Sequence, residues 1–385
     1  MSQPALASWS EKALKHWVES LDGRRIPLSA EERGGRQGAY PYYGASGVID
    51  HIDGFLFNEP LVLVAEDGAN LLSRSTPIAF LATGKYWVNN HAHVLKPRSG
   101  PARYWAYRLE SVDVTPFITG SAQPKFTAAA LMDMRVTAPE SVDEQDAIAD
   151  FLDRETAQID TLTVEQQRLV EMLRVRKRAV LDQVTGAASG TRVRLKYLFA
   201  PSSEANHPDE EVLSVYRDYG VIPKSSRDDN FNRTPENVAR YLLVRPGDLV
   251  INRMKAWQGS LGVSEYRGIV SGDYEVVRPI GNRLLPRFAH LFLRSPLMVA
   301  DYAVRSTGIR PSQWRLYWDQ MGNVEVPVPP PAEQAGIVER IDEQTTKIDT
   351  LIAETERFIE LARERRAALI AAAVTGQIAI RAEVD

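Results

Sequence analysis

The sequence predicts a mixed α/β (α+β) protein built as a tandem duplication. Two globular heads alternate with two long helices that form an antiparallel coiled coil, and the halves are related by a pseudo-two-fold axis. Three observations predict this. Two stretches some 189 residues apart repeat one another. Each has the 3.5-residue apolar period of a coiled-coil helix. The segments between them hold all seven tryptophans and short β-branched or aromatic runs bounded by turn residues.

The repeat is explicit. Residues 139–186 read PESVDEQDAIADFLDRETAQIDTLTVEQQRLVEMLRVRKRAVLDQVTG, and residues 330–376 read PPAEQAGIVERIDEQTTKIDTLIAETERFIELARERRAALIAAAVTG. They share EQ, IDTL, R-x-R and the closing VTG, at an offset of 189 from Glu144 through Arg176 and 190 at the VTG. Proline stands only before each start (Pro139, Pro331), where a helix tolerates it, and Gly186 and Gly376 follow as stops. The predicted seam of the first helix is Ile148, Leu152, Ile159, Leu162, Leu169, Leu173 and Val180. That of the second is Ile337, Ile341, Ile348, Leu351, Phe358, Ala362 and Leu369. Nearly forty residues at about 1.5 Å each make a rod of roughly 55 Å.

The heads divide the chain into 1–138, a helix at 139–186, 187–327, a helix at 328–376, and a tail at 377–385. Strands are expected in PLVLVAEDGAN (60–70), YWVNNHAHVLKP (86–97), GDLVIN (247–252) and GIVSGDYEVVRP (268–279). The heads echo one another weakly: LKHWV (14–18) with LKYLF (195–199), HVLKP with EVVRP, and TGSAQPKF (119–126) with STGIRPSQW (306–314).

Composition narrows the function. The net charge of −4 conceals a segregation. The helical stretch 138–186 has six basic against eleven acidic residues and 327–385 has seven against eleven, whereas 187–326 has nineteen against fifteen. The heads are thus neutral to basic, and a DNA-binding surface needs only local positive charge. The absence of cysteine excludes disulfides and thiolate metal sites and fits a reducing cytoplasm. No apolar run is long enough to span a membrane, and the first residues have no signal-peptide pattern. If the helices pair antiparallel, the heads face opposite ways on a stiff spacer. That symmetry suits two inverted half-sites on duplex DNA, and diverged heads suit an asymmetric target.

At this point a family becomes recognisable. VPVPPPAEQ (326–334), then KIDTLI (347–352), RERRAALI (363–370) and VTG, closely resemble the type I restriction-modification specificity subunits. PYYGASGVIDHIDGF (41–55) with VAEDGAN (64–70) resembles one class of their target-recognition domains. NRMKAWQGSLGVS (252–264) with GIRPSQWRLYWDQM (308–321) resembles another. The resemblance implies that each head reads a few base pairs of double-stranded DNA and that the paired helices set the gap. It implies recruitment of two copies of an adenine methyltransferase subunit and admits a motor-nuclease subunit. S-adenosylmethionine, ATP and magnesium would belong to those partners, with no cofactor, metal or catalytic centre in this chain.

Candidate DNA contacts follow from residue type. In the first head they are Tyr40, Tyr42, Tyr43 and Ser46 in one turn, then Lys85, Asn89, Asn90 and His91. A tyrosine-bearing core turn and ordinary strand-end chemistry are the plainer alternatives. In the second head the densest cluster is Asn252, Arg253, Lys255, Trp257, Gln258 and Ser260. Some of these are expected to face outward, because a core cannot satisfy so many polar groups. Lys224, Arg227 and Arg233 fit backbone tracking, and Arg305, Arg310 and Arg315 fit phosphate contact or pairing with acidic helix residues. The basic runs RVRKR (174–178) and RERR (363–366) suit helix C-terminal cations.

Enzyme readings have little support. There is no glycine-rich cofactor loop with an Asn/Asp-Pro-Pro-aromatic motif, and no phosphate-binding loop, TGK at 83–85 being too short. His91 and His93 share a strand face but lack an evident third metal ligand. Two rivals remain: a purely structural coiled-coil scaffold, and a self-contained nuclease.

Overall fold

The structure, a computed structural model, describes residues 9–120, 123–227, 234–235, 237–310 and 313–380. Arg233 lies outside the described residues. The chain divides into two compact units, residues 1–166 with 357–385 and residues 167–356. Each unit holds one head together with a part of both long helices, Val142–Gly186 and Pro331–Val374.

In the first unit, strand Trp9–Ala13 pairs antiparallel with Arg135–Pro139 and closes the base of the head. Above it a four-stranded antiparallel sheet runs in the order Val18–Ser20, Ala92–Pro97, Leu61–Ala65, Ala79–Ala82. Leu61–Ala65 is an unbroken apolar run because the sheet buries both of its faces. Helix Ala102–Glu110 covers the sheet with Trp105, fully buried and 5.4 Å from Trp17. A second sheet joins the hairpin Gln37–Gly44/Gly47–Ile52 to the short parallel strand Trp87–Val88.

The second unit repeats the plan. Thr191–Arg194 pairs with Glu325–Val328 at the base. The four-stranded sheet runs Phe199–Pro201, Tyr274–Pro279, Leu249–Asn252, Leu261–Val263, and helix Pro286–Leu293 stands where Ala102–Glu110 stands in the first. The weak echoes therefore mark equivalent structure. LKHWV and LKYLF each form a short 3-10 turn leading into the first strand of the sheet. Buried Leu14 and Leu195 each donate a backbone N–H, to Met134 O and Val324 O. TGSAQPKF and STGIRPSQW each close a small antiparallel bridge, Thr119 with Lys125 and Thr307 with Arg315. The hairpin Leu213–Tyr216/Gly220–Pro223 corresponds to Gln37–Gly44/Gly47–Ile52, with a parallel bridge from Val212 to Ile269, whereas helix Pro296–Arg305 and strand Leu242–Val244, paired antiparallel with Gly268–Val270, are additions of the second head.

The long helices run antiparallel within each unit. Asp160 pairs with Arg366 in the first, and Arg174 with Glu356 and Lys177 with Asp349 in the second. The first core takes in Ile148, Leu152, Ile370, Ala373 and Val374, and the second takes in Leu181, Ile337 and Ile341.

The predicted seam needs one correction. Ile148, Leu152, Ile337, Ile341 and Ile348 are buried, and Ile159, Leu173 and Leu369 are half-buried. Leu162, Leu169, Leu351 and Phe358 instead lie at the surface, exposed by 39%, 36%, 48% and 42%. Their inward places are taken by Thr163, Val170, Ile352 and Ile359. Local hydrogen bonding makes the inward threonines compatible with this face. Thr156, Thr163, Thr345 and Thr355 each turn the hydroxyl back onto the carbonyl four residues earlier. A threonine so satisfied packs inward without an orphaned polar atom, which frees a second apolar ridge for the surface. Of the two glycine stops, only Gly376 (φ 72°) makes a left-handed cap, whereas the first helix runs through Gly186.

Candidate nucleic-acid interface

In the first head the hairpin and the loop after Gly84 form one surface. Tyr43 pairs with Val88, and the Asn89 N–H donates to Tyr43 O. Ser46, Lys85, Asn90 and His91 are exposed, and Tyr40 is half-buried. Lys85 Nζ lies 4.8 Å from the ring centre of Phe55, which packs 5.2 Å from Tyr40. His91 Nδ1 lies 2.9 Å from the Asp67 carboxylate. Tyr42 and Asn89 face inward. Tyr42 is fully buried with its hydroxyl accepting from Leu28 N, and Asn89 accepts from His91 N. Both are framework rather than surface: Tyr42 packs with Ile52 and Trp87 in a small core, and the Asn89 side chain is used within its own turn. Tyr43 is half-buried between Phe80 and Tyr86, and burial raises its phenol above the ordinary range.

The second-head cluster is also divided. Lys255 and Gln258 are exposed, whereas Ser260 is buried. Arg253 donates to the carbonyls of Asp273 and Gly272. Asn252 accepts from Met254 N, and Trp257 donates to Met254 O while packing edge-on against Trp314 at 5.3 Å. The segment 313–316 adjoins this turn through Leu316 N donating to Arg253 O. Arg310 and Arg315 are exposed, as are Lys255 and Gln258. Lys224 donates to Thr234, and the Arg227 guanidinium stacks 4.7 Å from Tyr219. Arg305 pairs with Asp301 and lines a cavity with Arg192, Arg194 and Glu325.

Sequence reasoning passed over Val48, Ile49 and Phe55, all exposed about the first hairpin. Their signal was three large apolar groups flanking a predicted turn. His93 has no part in that surface. It is buried, with Nδ1 2.6 Å from Asp22 and Nε2 2.8 Å from Phe126 O. Asp22, Glu66 and His93 are the one metal-like grouping among the described residues. The cationic place there belongs to Arg25, which reaches Glu66 at 2.8 Å and Asp22 at 3.3 Å. Burial alone would raise both carboxyl groups; the bonds and charges of His93 and Arg25 hold them below the ordinary carboxylate range.

Comparison with known proteins gives the class first. Residues 7–172 match the family model described as the type I restriction modification DNA specificity domain. A protein assigned as a type I restriction enzyme specificity subunit of Haemophilus influenzae is 31% identical over 147 residues, 38% of this chain and 37% of its own length. The match thus spans little more than a third of that relative. The EcoDI type I specificity subunit of Escherichia coli is 20% identical across 96% of this chain and 88% of its own length. A solved structure titled for the complex assembly and conformational transition of the type I restriction-modification system shares the fold, with a TM-score of 0.69 at 13% identity. It covers 98% of this chain and 100% of that one. Residues 7–172 thus match the type I restriction modification DNA specificity domain, and the chain is similar along most of its length to a type I specificity subunit. No helix among the described residues is long and apolar enough to cross a membrane.

Proposed function

We propose that the chain reads a bipartite, asymmetric duplex DNA site, one half-site per head, and docks methyltransferase subunits on its paired helices. The observation that carries the reading is one framework presenting two different surfaces. The heads share a base pair of strands, a sheet order and a covering helix. One exposes Ser46, Lys85, Asn90 and His91, the other Lys255, Gln258, Arg310 and Arg315. Equal frameworks with unequal polar surfaces are what two different half-sites require. Catalysis, with S-adenosylmethionine, ATP and magnesium, falls to the partners, and a motor-nuclease subunit is one of them where the system also cuts.

Duplex selected by the purified chain from a random-sequence library should carry two fixed blocks and a constant gap. With about six phosphate contacts, affinity should fall on the order of 10³-fold between 50 and 200 mM salt. Failure to select any duplex would favour the scaffold reading, and metal-dependent cleavage by the pure chain would favour the nuclease.

The docking part rests on the second apolar ridge. Leu162, Leu169 and Met172 on one helix, and Leu351, Phe358 and Leu361 on the other, are exposed at places matched by the repeat. A repeated surface suits two copies of one partner. Leu351→Asp with Phe358→Asp should halve the number of methyltransferase subunits bound in native mass spectrometry, with DNA affinity within twofold. Unchanged stoichiometry would sink it.

A further inference from the structure

The EQ shared by the two repeats has a definite structural role. Gln145 and Gln334 are both fully buried at the head end of their helices. Gln334 is completely bonded: Nε2 donates to Pro329 O and Arg283 O, and Oε1 accepts from Leu285 N, all at 2.8 Å. Leu285 is the residue that caps helix Pro286–Leu293, so one side chain ties the long helix, the base strand and the head's covering helix together. Gln145 repeats the first tie, donating to Pro139 O at 2.8 Å. Its Oε1 is buried without a partner.

The missing partner has a chemical cause. The residue capping helix Ala102–Glu110 is Pro101, which stands where Leu285 stands in the second head and has the same backbone conformation. Pro101 has φ −81° and ψ 137°; Leu285 has φ −66° and ψ 134°. A proline has no N–H to give. Gly100 just before it lies so close to Gln145 Oε1 that an added Cβ would collide with that oxygen. The first joint is instead reinforced by charge. Arg103 pairs with Asp146 at 3.0 Å and Asp153 at 3.1 Å, and also with Asp150. Its counterpart Arg287 pairs with Asp342 alone among these positions, at 2.8 Å.

We propose that Gln145 and Gln334 are positioning residues, equivalent latches that fix each recognition head on its helix, and that Pro101 leaves the first latch incomplete. The first joint is therefore held mainly by partly exposed ion pairs, which salt screens, and the second by buried hydrogen bonds, which it does not. Its consequence for DNA reading rests on the function proposed above; the latch itself does not.

The test is a melting cycle on the full chain. Pro101→Leu should raise the melting temperature of the first unit by about 2–4 °C, and the gain should vanish when Gln145→Leu is also present. A gain that survives Gln145→Leu, or no gain at all, overturns the incomplete latch. Gln334→Leu should lower the melting temperature of the second unit, with Gln334→Asn recovering part of it. Gln334→Leu should also reduce, at least threefold, the preference for a library-selected duplex over the same duplex with its gap altered by one base pair. A lowered melting temperature with that preference intact would make Gln334 a mere strut and overturn its positioning role. A wild-type chain that selects no duplex would instead refute the DNA reading, while the melting cycle still decides the latch.

Discussion

Between pH 6.5 and 4 the second unit should lose stability that the first retains, and His290→Gln should abolish the difference. His290 lies in helix Pro286–Leu293, largely enclosed. Its Nδ1 lies 3.1 Å from Val263 O and so donates, leaving Nε2 to accept from Arg294 at 3.4 Å. Gly220 closes the pocket, since a Cβ there would strike both His290 and Arg294, and its φ of 76° already favours glycine. The neutral ring is fully bonded. A second proton would be placed in an enclosed site facing the guanidinium of Arg294, with Arg287 adding to the positive field. Burial first, and these charges next, push the imidazole down to about 4.

The unfolded chain takes up that proton near pH 6.5, whereas the folded chain resists it until about pH 4. The unfolded state therefore binds more protons across this window, and stability falls as pH falls. By about pH 4 the loss is on the order of 3 kcal/mol. In the first unit, Asp22 and Glu66 have linkage of the same sign but in a lower pH window. Their folded forms stay ionised below the ordinary range, so their contribution is present above about pH 4.5 and goes only in stronger acid. Hydrogen exchange read peptide by peptide at pH 7, 5.5 and 4.5, corrected for intrinsic rates, distinguishes the units. Equal pH slopes in both, or a slope in His290→Gln like that of the parent, would refute the assignment.

The duplication was legible because the helices carry it in runs such as IDTL and VTG, whereas the heads keep only scattered pairs such as Leu14 and Leu195. Those pairs survive because each is a buried leucine at the same strand entry. The strands were legible where apolar runs meet turn residues, and YWVNNHAHVLKP divided into two because Asn89 and Asn90 interrupt it. Two things were not legible. The seam was placed on the leucines, since period alone cannot tell a buried threonine that bonds its own helix from an exposed one. In NRMKAWQGS, the expectation that several polar groups face outward held for Lys255 and Gln258 but not for Arg253. Its partners are the carbonyls of Gly272 and Asp273, some twenty residues away, and no local pattern reveals them.

Lengthening both helices at the boundary between the compact units should change the gap in the DNA site and leave the bases read unchanged. The boundary falls after Gln166 in one helix and after Glu356 in the other. Seven residues inserted at both points preserve the ion pair Asp160–Arg366 within the first unit, and Arg174–Glu356 and Lys177–Asp349 within the second. Seven also restores the 3.5-residue phase, so threonine and isoleucine stay inward and the apolar ridge stays outward. The added length is about 10 Å, or roughly three base pairs at 3.4 Å each. Four residues add about 6 Å but act as a stutter, so the gap should lengthen by roughly two base pairs with a lower melting temperature. An insertion in one helix alone puts the pairs of the two units out of register and should cost at least tenfold in affinity. Selection from a random-sequence library reads both quantities at once. Altered bases with an unaltered gap would mean that the helices do not measure the site, and the division of labour between heads and helices would fall with it.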